Sequence, residues 1–111
     1  MNILTNIFRR LNPTQPNRVM RTTAFYRTKD GLRDFHFSFE QQADGSWRAF
    51  IVGDIQYGGR PDDCHSTHRL TDGGRHYVCW TRPLRTEQEA RDVAALWGDK
   101  TQRYIRFGEN F

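Results

Sequence analysis

From Thr86 to Gly108 the apolar and small side chains Ala90, Val93, Ala94, Trp97, Thr101, Tyr104 and Ile105 recur at three- and four-residue intervals. That spacing places them along one stripe of an α-helix, with Arg91, Asp92, Asp99, Lys100, Arg103 and Arg106 largely outside it. Thr86 with Glu89 three residues on makes a helix start, because hydroxyl and carboxylate can satisfy backbone N–H groups that lack partners in the first turn. Gly98 interrupts the composition but not the register, and a glycine inside a helix costs only about 1 kcal/mol. The pattern therefore predicts one long helix closed by Gly108, with Trp97 and Tyr104 supplying most of its buried area.

A different period governs LRDFHFSFE. Phe35, Phe37 and Phe39 alternate with Asp34, His36, Ser38 and Glu40, the signature of a strand with one apolar face. Ala43-Asp44-Gly45 turns the chain into SWRAFIV. A three-residue loop pairs Phe39 with Ala49, Phe37 with Ile51, Gln41 with Trp47 and Glu40 with Arg48, whereas a two-residue loop would expose the opposite face. The three-residue register leaves Phe50 and Val52 beside Ser38 and His36, away from the phenylalanines. Such a patch needs a cover: an N-terminal helix, the long loop or another protein.

Strand character also marks residues 18–28 (Val19, Thr22, Thr23, Phe25, Tyr26), followed by a Lys29-Asp30-Gly31 turn. RHYVCWT, residues 75–81, carries apolar groups on both sides and predicts a covered or central strand. Between them, residues 54–74 hold no sustained periodicity and four of the nine glycines, and read as a long polar loop. At the start of the chain, Ile3, Leu4, Ile7, Phe8 and Leu11 share a face of a short helix ended by Asn12-Pro13. The expected division is an amphipathic segment and Pro-containing linker over residues 1–17, then a single domain over 18–111. Its fold class is α+β, an antiparallel sheet of about four strands with the long C-terminal helix across its phenylalanine face.

Charge changes this picture in one respect. The formal net charge of +4 is unevenly distributed: residues 1–33 hold seven basic groups against Asp30 alone, while the remainder is slightly acidic. A basic first third points to an acidic partner. Fifteen of the seventeen basic residues are arginine, which suits bidentate contacts to carboxylate or phosphate. Two cysteines, no long apolar run and no signal-peptide pattern favour a soluble, cytoplasmic protein.

Three kinds of chemistry can be drawn from the residues. Asp62, Asp63, Cys64, His65, His68, His76 and Cys79 cluster in sequence, and Cys64, His68 and Cys79 are weak metal candidates whose spacing matches no zinc module. The same 62–79 cluster would serve a metal-dependent hydrolase, but no third group orienting a base and no oxyanion site is legible, so no catalytic residue and no cofactor is assigned. Arg18, Arg21, Arg27, Lys29 and Arg33 flank the first hairpin and would contact nucleic acid. Phe50 and Trp80, with Tyr57 and Arg60 from the loop, would contact a protein. The leading expectation is a small non-catalytic binding protein of the bacterial or phage accessory type, acting through a macromolecular partner such as a nucleic-acid-processing enzyme that it inhibits. Direct nucleic-acid binding through the basic N-terminal third is the alternative.

Overall fold

A computed structural model describes residues 20–111. The expected N-terminal helix and linker, and Arg18, lie outside the described residues. Strands β1 (Arg21–Arg27), β2 (Asp34–Gln41) and β3 (Trp47–Ile51) form a meander. A short helix α1 (Cys64–Thr67), strands β4 (Arg69–Asp72) and β5 (Arg75–Val78), and the long helix α2 (Glu87–Phe107) follow. The strands make one antiparallel sheet in the order β1-β2-β3-β5-β4.

The class is α+β, with five strands rather than four. The extra strand is β4, four residues with three of them exposed, too short to show an alternation. It is paired with β5 through a Gly73-Gly74 turn in which both glycines take positive φ, 58° and 79°. A two-residue loop of this kind matches the twist of its flanking strands, and both positions favour glycine.

The second hairpin has the three-residue loop. Gln41 faces Trp47, Glu40 faces Arg48, Phe39 faces Ala49 and Phe37 faces Ile51. The Gln42 N–H donates to the Ser46 carbonyl at 2.7 Å, and Gly45 supplies φ of 89°. β3 and β5 meet at only one residue pair, Phe50 with Tyr77.

Helix α2 runs unbroken across the phenylalanine face. Phe35, Phe37 and Phe39 are buried under Ala90, Val93, Ala94 and Trp97, together with Ala49, Ile51, Val78 and Leu84. The Trp97 ring stands edge-on to Phe35 and Phe37, with centroids 5.4 and 5.9 Å away. At its start, Thr86 Oγ1 accepts the Glu89 N–H at 3.0 Å, while the Glu89 carboxylate accepts the N–H of Arg85. Gly108 ends the helix at φ 74°, its N–H donating to the Tyr104 carbonyl.

Gly98 is explained by closeness. A Cβ there would lie 3.0 Å from Cδ2 of Tyr26 and 3.2 Å from Cδ2 of Phe35. Phe35 is buried, and the Tyr26 hydroxyl is tied to the Asp99 carboxylate at 2.7 Å, so neither ring yields freely. Gly98→Ala gains about 1 kcal/mol of helix propensity but forces overpacking worth about 1–3 kcal/mol. The expected result is a net loss of about 1 kcal/mol in thermal or urea denaturation; a stabilised variant would show that the rings give way.

Residues 54–74 are not a free loop. Trp97 Nε1–H donates to the Thr67 carbonyl at 2.9 Å, the Tyr104 hydroxyl to the Pro61 carbonyl at 2.7 Å, and Arg60 Nε–H to the Ile105 carbonyl at 3.0 Å. Helix α2 thus fastens the segment by three polar contacts, none of which leaves a periodic trace in the sequence.

The cover expected for Phe50 comes from neighbouring strands of the same sheet. Phe50 is only 4% exposed because the Arg75 guanidinium lies 3.8 Å from its ring centroid. Both terminal nitrogens of Arg75 donate to the Glu40 carboxylate, which also accepts from Ser38 Oγ. Beside it, Arg48 stacks on Tyr77 and pairs with Asp72. Val52 stays exposed.

Candidate functional site

Beyond Val78 the chain leaves the sheet. Residues 79–83 run toward Leu84, whose carbonyl accepts the Trp47 N–H at 2.8 Å. This stretch stands away from α2 and opens an apolar cleft of about 320 Å³, lined by Val78, Trp80, Val93, Leu96, Trp97 and Phe111. Trp80 and Leu96 are 39% and 43% exposed, while Trp97 beneath them is buried. Phe111 closes one end, stacked on His68 with centroids 4.4 Å apart. Lys100 reaches the same cleft and makes no ion pair among the described residues. An apolar hollow with one cation at its edge suits an apolar side chain next to an acidic group.

Of the residues singled out for a protein partner, Trp80 lies in this cleft. Phe50 and Tyr57 are buried, at 4% and 5% exposure. Arg60 is occupied at the end of α2. The four do not share one surface.

The basic set is also dispersed. Arg21 and Arg27 project from the sheet face opposite α2, at the two ends of β1, roughly 20 Å apart for an extended strand. Arg27 makes a paired contact with Asp34 at 2.9 and 3.0 Å. Lys29 sits in the turn after β1, where its backbone N–H donates to Asp99. Arg33 points to the helix side, donating to Gln102 Oε1 at 2.8 Å and lying over Phe35.

Cys64, His68 and Cys79 do not converge. The exposed Cys64 thiol contacts Thr71 Oγ1, the His68 ring stacks between His65 and Phe111, and Cys79 forms part of the apolar cleft. Both cysteines are free. Among the described residues no group of three or more His, Cys, Asp or Glu side chains could hold a metal ion. No helix among them is long and apolar enough to cross a membrane.

Sequence reasoning missed Leu96, Lys100 and Phe111. Leu96 did leave a signal, since it is an apolar residue outside the stripe that carries Val93, Ala94 and Trp97. Phe111 left none, because its position depends on the turn at Gly108. A second, polar cleft involves Arg69 and His76, which composition alone does not distinguish from other loop residues.

No protein-family model, curated protein or solved structure matches this chain.

Proposed function

We propose that this chain is a non-catalytic binding protein that acts through a protein partner, and that an apolar side chain of that partner enters the cleft between Trp80 and Leu96. The observation that carries this reading is the half-exposed Trp80 and Leu96 set over the buried Trp97. Tryptophan side chains in partly desolvated pockets are the usual energetic anchors of interfaces. The cleft is at the small end of ligand pockets, sized for one or two side chains rather than a cofactor. Lys100 favours an acidic group beside the anchor.

A second reading, direct nucleic-acid binding, is supported by the sheet face opposite α2. Phe25 is 69% exposed there and stacks on His36 at 4.2 Å, with Arg21 and Arg27 on the same strand face. Exposed rings flanked by cations suit single-stranded bases. Against it, Arg27, Arg48 and Arg75 on that face are each paired with a carboxylate.

One set of measurements separates the two. Peptides selected from a displayed random library against the full chain are expected to carry an aromatic or aliphatic anchor near an acidic residue. They should lose at least about tenfold in affinity on Trp80→Ala or Leu96→Asp, the range of an interface anchor. Selected peptides that bind both variants like the wild type would remove the cleft reading. In parallel, anisotropy titrations with short single- and double-stranded DNA and RNA, at about 50 and about 150 mM salt, test the second reading. Binding that weakens steeply with salt and is lost in Arg21→Glu/Phe25→Ala would establish it in place of the first.

A further inference from the structure

The second cleft lies on the helix side of the sheet, where β4 and β5 meet residues 53–62. It encloses about 490 Å³ and is lined chiefly by Asp54, Gln56, Arg60, Asp62, Arg69 and His76. Arg69 is only 8% exposed and is the sole buried arginine among the described residues. Its Nε–H donates to Thr67 Oγ1 at 2.8 Å, one terminal nitrogen donates to the Asp62 carbonyl at 2.7 Å, and the other to His76 Nδ1 at 3.3 Å. The ring of Tyr57 lies 5.1 Å from the guanidinium carbon.

None of these partners is an anion. Every ion pair among the described residues uses an arginine, and in each the arginine is more exposed than Arg69. The arginine that most needs a counter-charge is thus without one. A guanidinium does not lose its proton at any ordinary pH. Its hydrogen bonds and the Tyr57 ring offset part of the cost of taking this charge out of water, and an anion would offset more.

The local chemistry is arranged to receive one. Three hydrogen bonds leave one N–H unused on each terminal nitrogen of Arg69. Because Arg69 donates to Nδ1 of His76, the ring proton of the neutral imidazole must sit on Nε2, which adds another donor. Gly58 and Gly59, also in the wall, have positive φ and open space at the Cβ position, so nothing there narrows the entrance. Asp54 and Asp62 are exposed at the rim, make no side-chain hydrogen bond to the described residues, and lie beyond ion-pair distance of Arg69. They weaken the attraction for any anion and most of all for a doubly charged one.

We propose that this cleft is an oxyanion site, in which Arg69, with His76 beside it, receives a single carboxylate or phosphate group presented by a ligand. The site is separate from the apolar cleft and does not depend on what binds there.

The test uses the full chain and two probes, acetate and inorganic phosphate, each titrated to about 50 mM at constant ionic strength while the arginine Nε–H resonances are followed by NMR. A saturating shift of the Arg69 Nε–H in either arm is expected, and the arm that saturates first names the group. Asp54→Asn/Asp62→Asn is expected to tighten binding about threefold at that same ionic strength without affecting the fold, since both side chains are exposed. Arg69→Gln should abolish saturation. Because that variant also loses bonds to Thr67 and Asp62, the asparagine pair is the decisive one. Linear, non-saturating shifts in both arms, or titrations that the asparagine pair leaves unchanged, would overturn the assignment.

Discussion

Trp97→Ala is expected to cost about 4–8 kcal/mol and to lower the melting temperature by on the order of 20 °C or more. Two losses combine. The indole fills the space between α2 and the phenylalanine strand, edge-on to Phe35 and Phe37, and truncating a buried tryptophan costs about 3–5 kcal/mol. Its N–H is also the partner of the Thr67 carbonyl, in a residue with no exposed surface, and a buried acceptor left without a donor costs about 1–3 kcal/mol. Native stabilities are only about 5–15 kcal/mol, so the alanine variant will be unfolded or close to it. Trp97→Phe separates the terms, keeping much of the ring and losing the hydrogen bond. Urea denaturation should show its midpoint between wild type and Trp97→Ala at similar slope. A loss below about 2 kcal/mol for the alanine variant would mean that this side chain does not join helix, sheet and loop.

Arg75→Met is expected to destabilise by about 2–4 kcal/mol, and Glu40→Gln by only about 1 kcal/mol. The asymmetry follows from burial. Glu40 is 5% exposed, whereas the Arg75 side chain is about half exposed. Removing the arginine strands a carboxylate out of water and uncovers Phe50. Removing the charge on Glu40 frees an arginine that water can solvate, and the glutamine still accepts from Ser38.

The pair also has a pH signature. Hydrogen bonds from Arg75 hold the Glu40 carboxyl below its ordinary value near 4.5, outweighing the upward push of burial. A carboxyl depressed by folding contributes stability that is present above its unfolded value and lost as pH falls through the folded one. Relative to wild type, Glu40→Gln should therefore lose less stability between neutral pH and about pH 3. In Arg75→Met only burial and the weaker contacts remain, the carboxyl moves up, and its contribution should improve as pH falls. Equal losses in the two variants, with parallel pH profiles, would show the pair to be merely superficial.

The sequence reveals those parts of the fold that repeat. The helix limits, the role of Gly108 and the register of the β2–β3 hairpin follow from stripe, cap and alternation, because each is set by contacts a few residues apart or by one turn. The sheet's fifth strand was hidden because β4 is four residues long and owes its place to the Gly73-Gly74 turn and to pairing, not to an apolar face. The order within residues 54–74 was hidden for a related reason. It comes from single hydrogen bonds to Trp97, Tyr104 and Ile105, each between residues at least 30 positions apart. Phe50 misled in an instructive way: an aromatic on the far face of a strand signals an interface only if no neighbouring arginine lies over it. Trp80 did reach a cleft, but its companions Leu96 and Phe111 come from parts of the chain that only packing brings together.

The β3–β5 seam carries a single ladder pair, against seven, five and four in the other three pairings of the sheet. The β1–β2–β3 meander is built from sequence-local pairings, which close small loops at little entropic cost, and it carries most of the aromatic core. The β4–β5 hairpin is equally local; it attaches through the Phe50–Tyr77 pair, the Arg48–Asp72 and Arg75–Glu40 ion pairs, Val78 in the core and the hold of α2 over the preceding segment. With the fewest ladder bonds to break, this seam is where local opening is expected to begin, once the two ion pairs across it have parted. Backbone amides of β4 and β5 are therefore expected to exchange with solvent faster than those of β2, which is paired on both sides and lies under α2. Arg69 and His76 both ride on that hairpin, so an anion held between them ties β4 to β5 and travels with the pair, leaving the seam itself as easy to open as before.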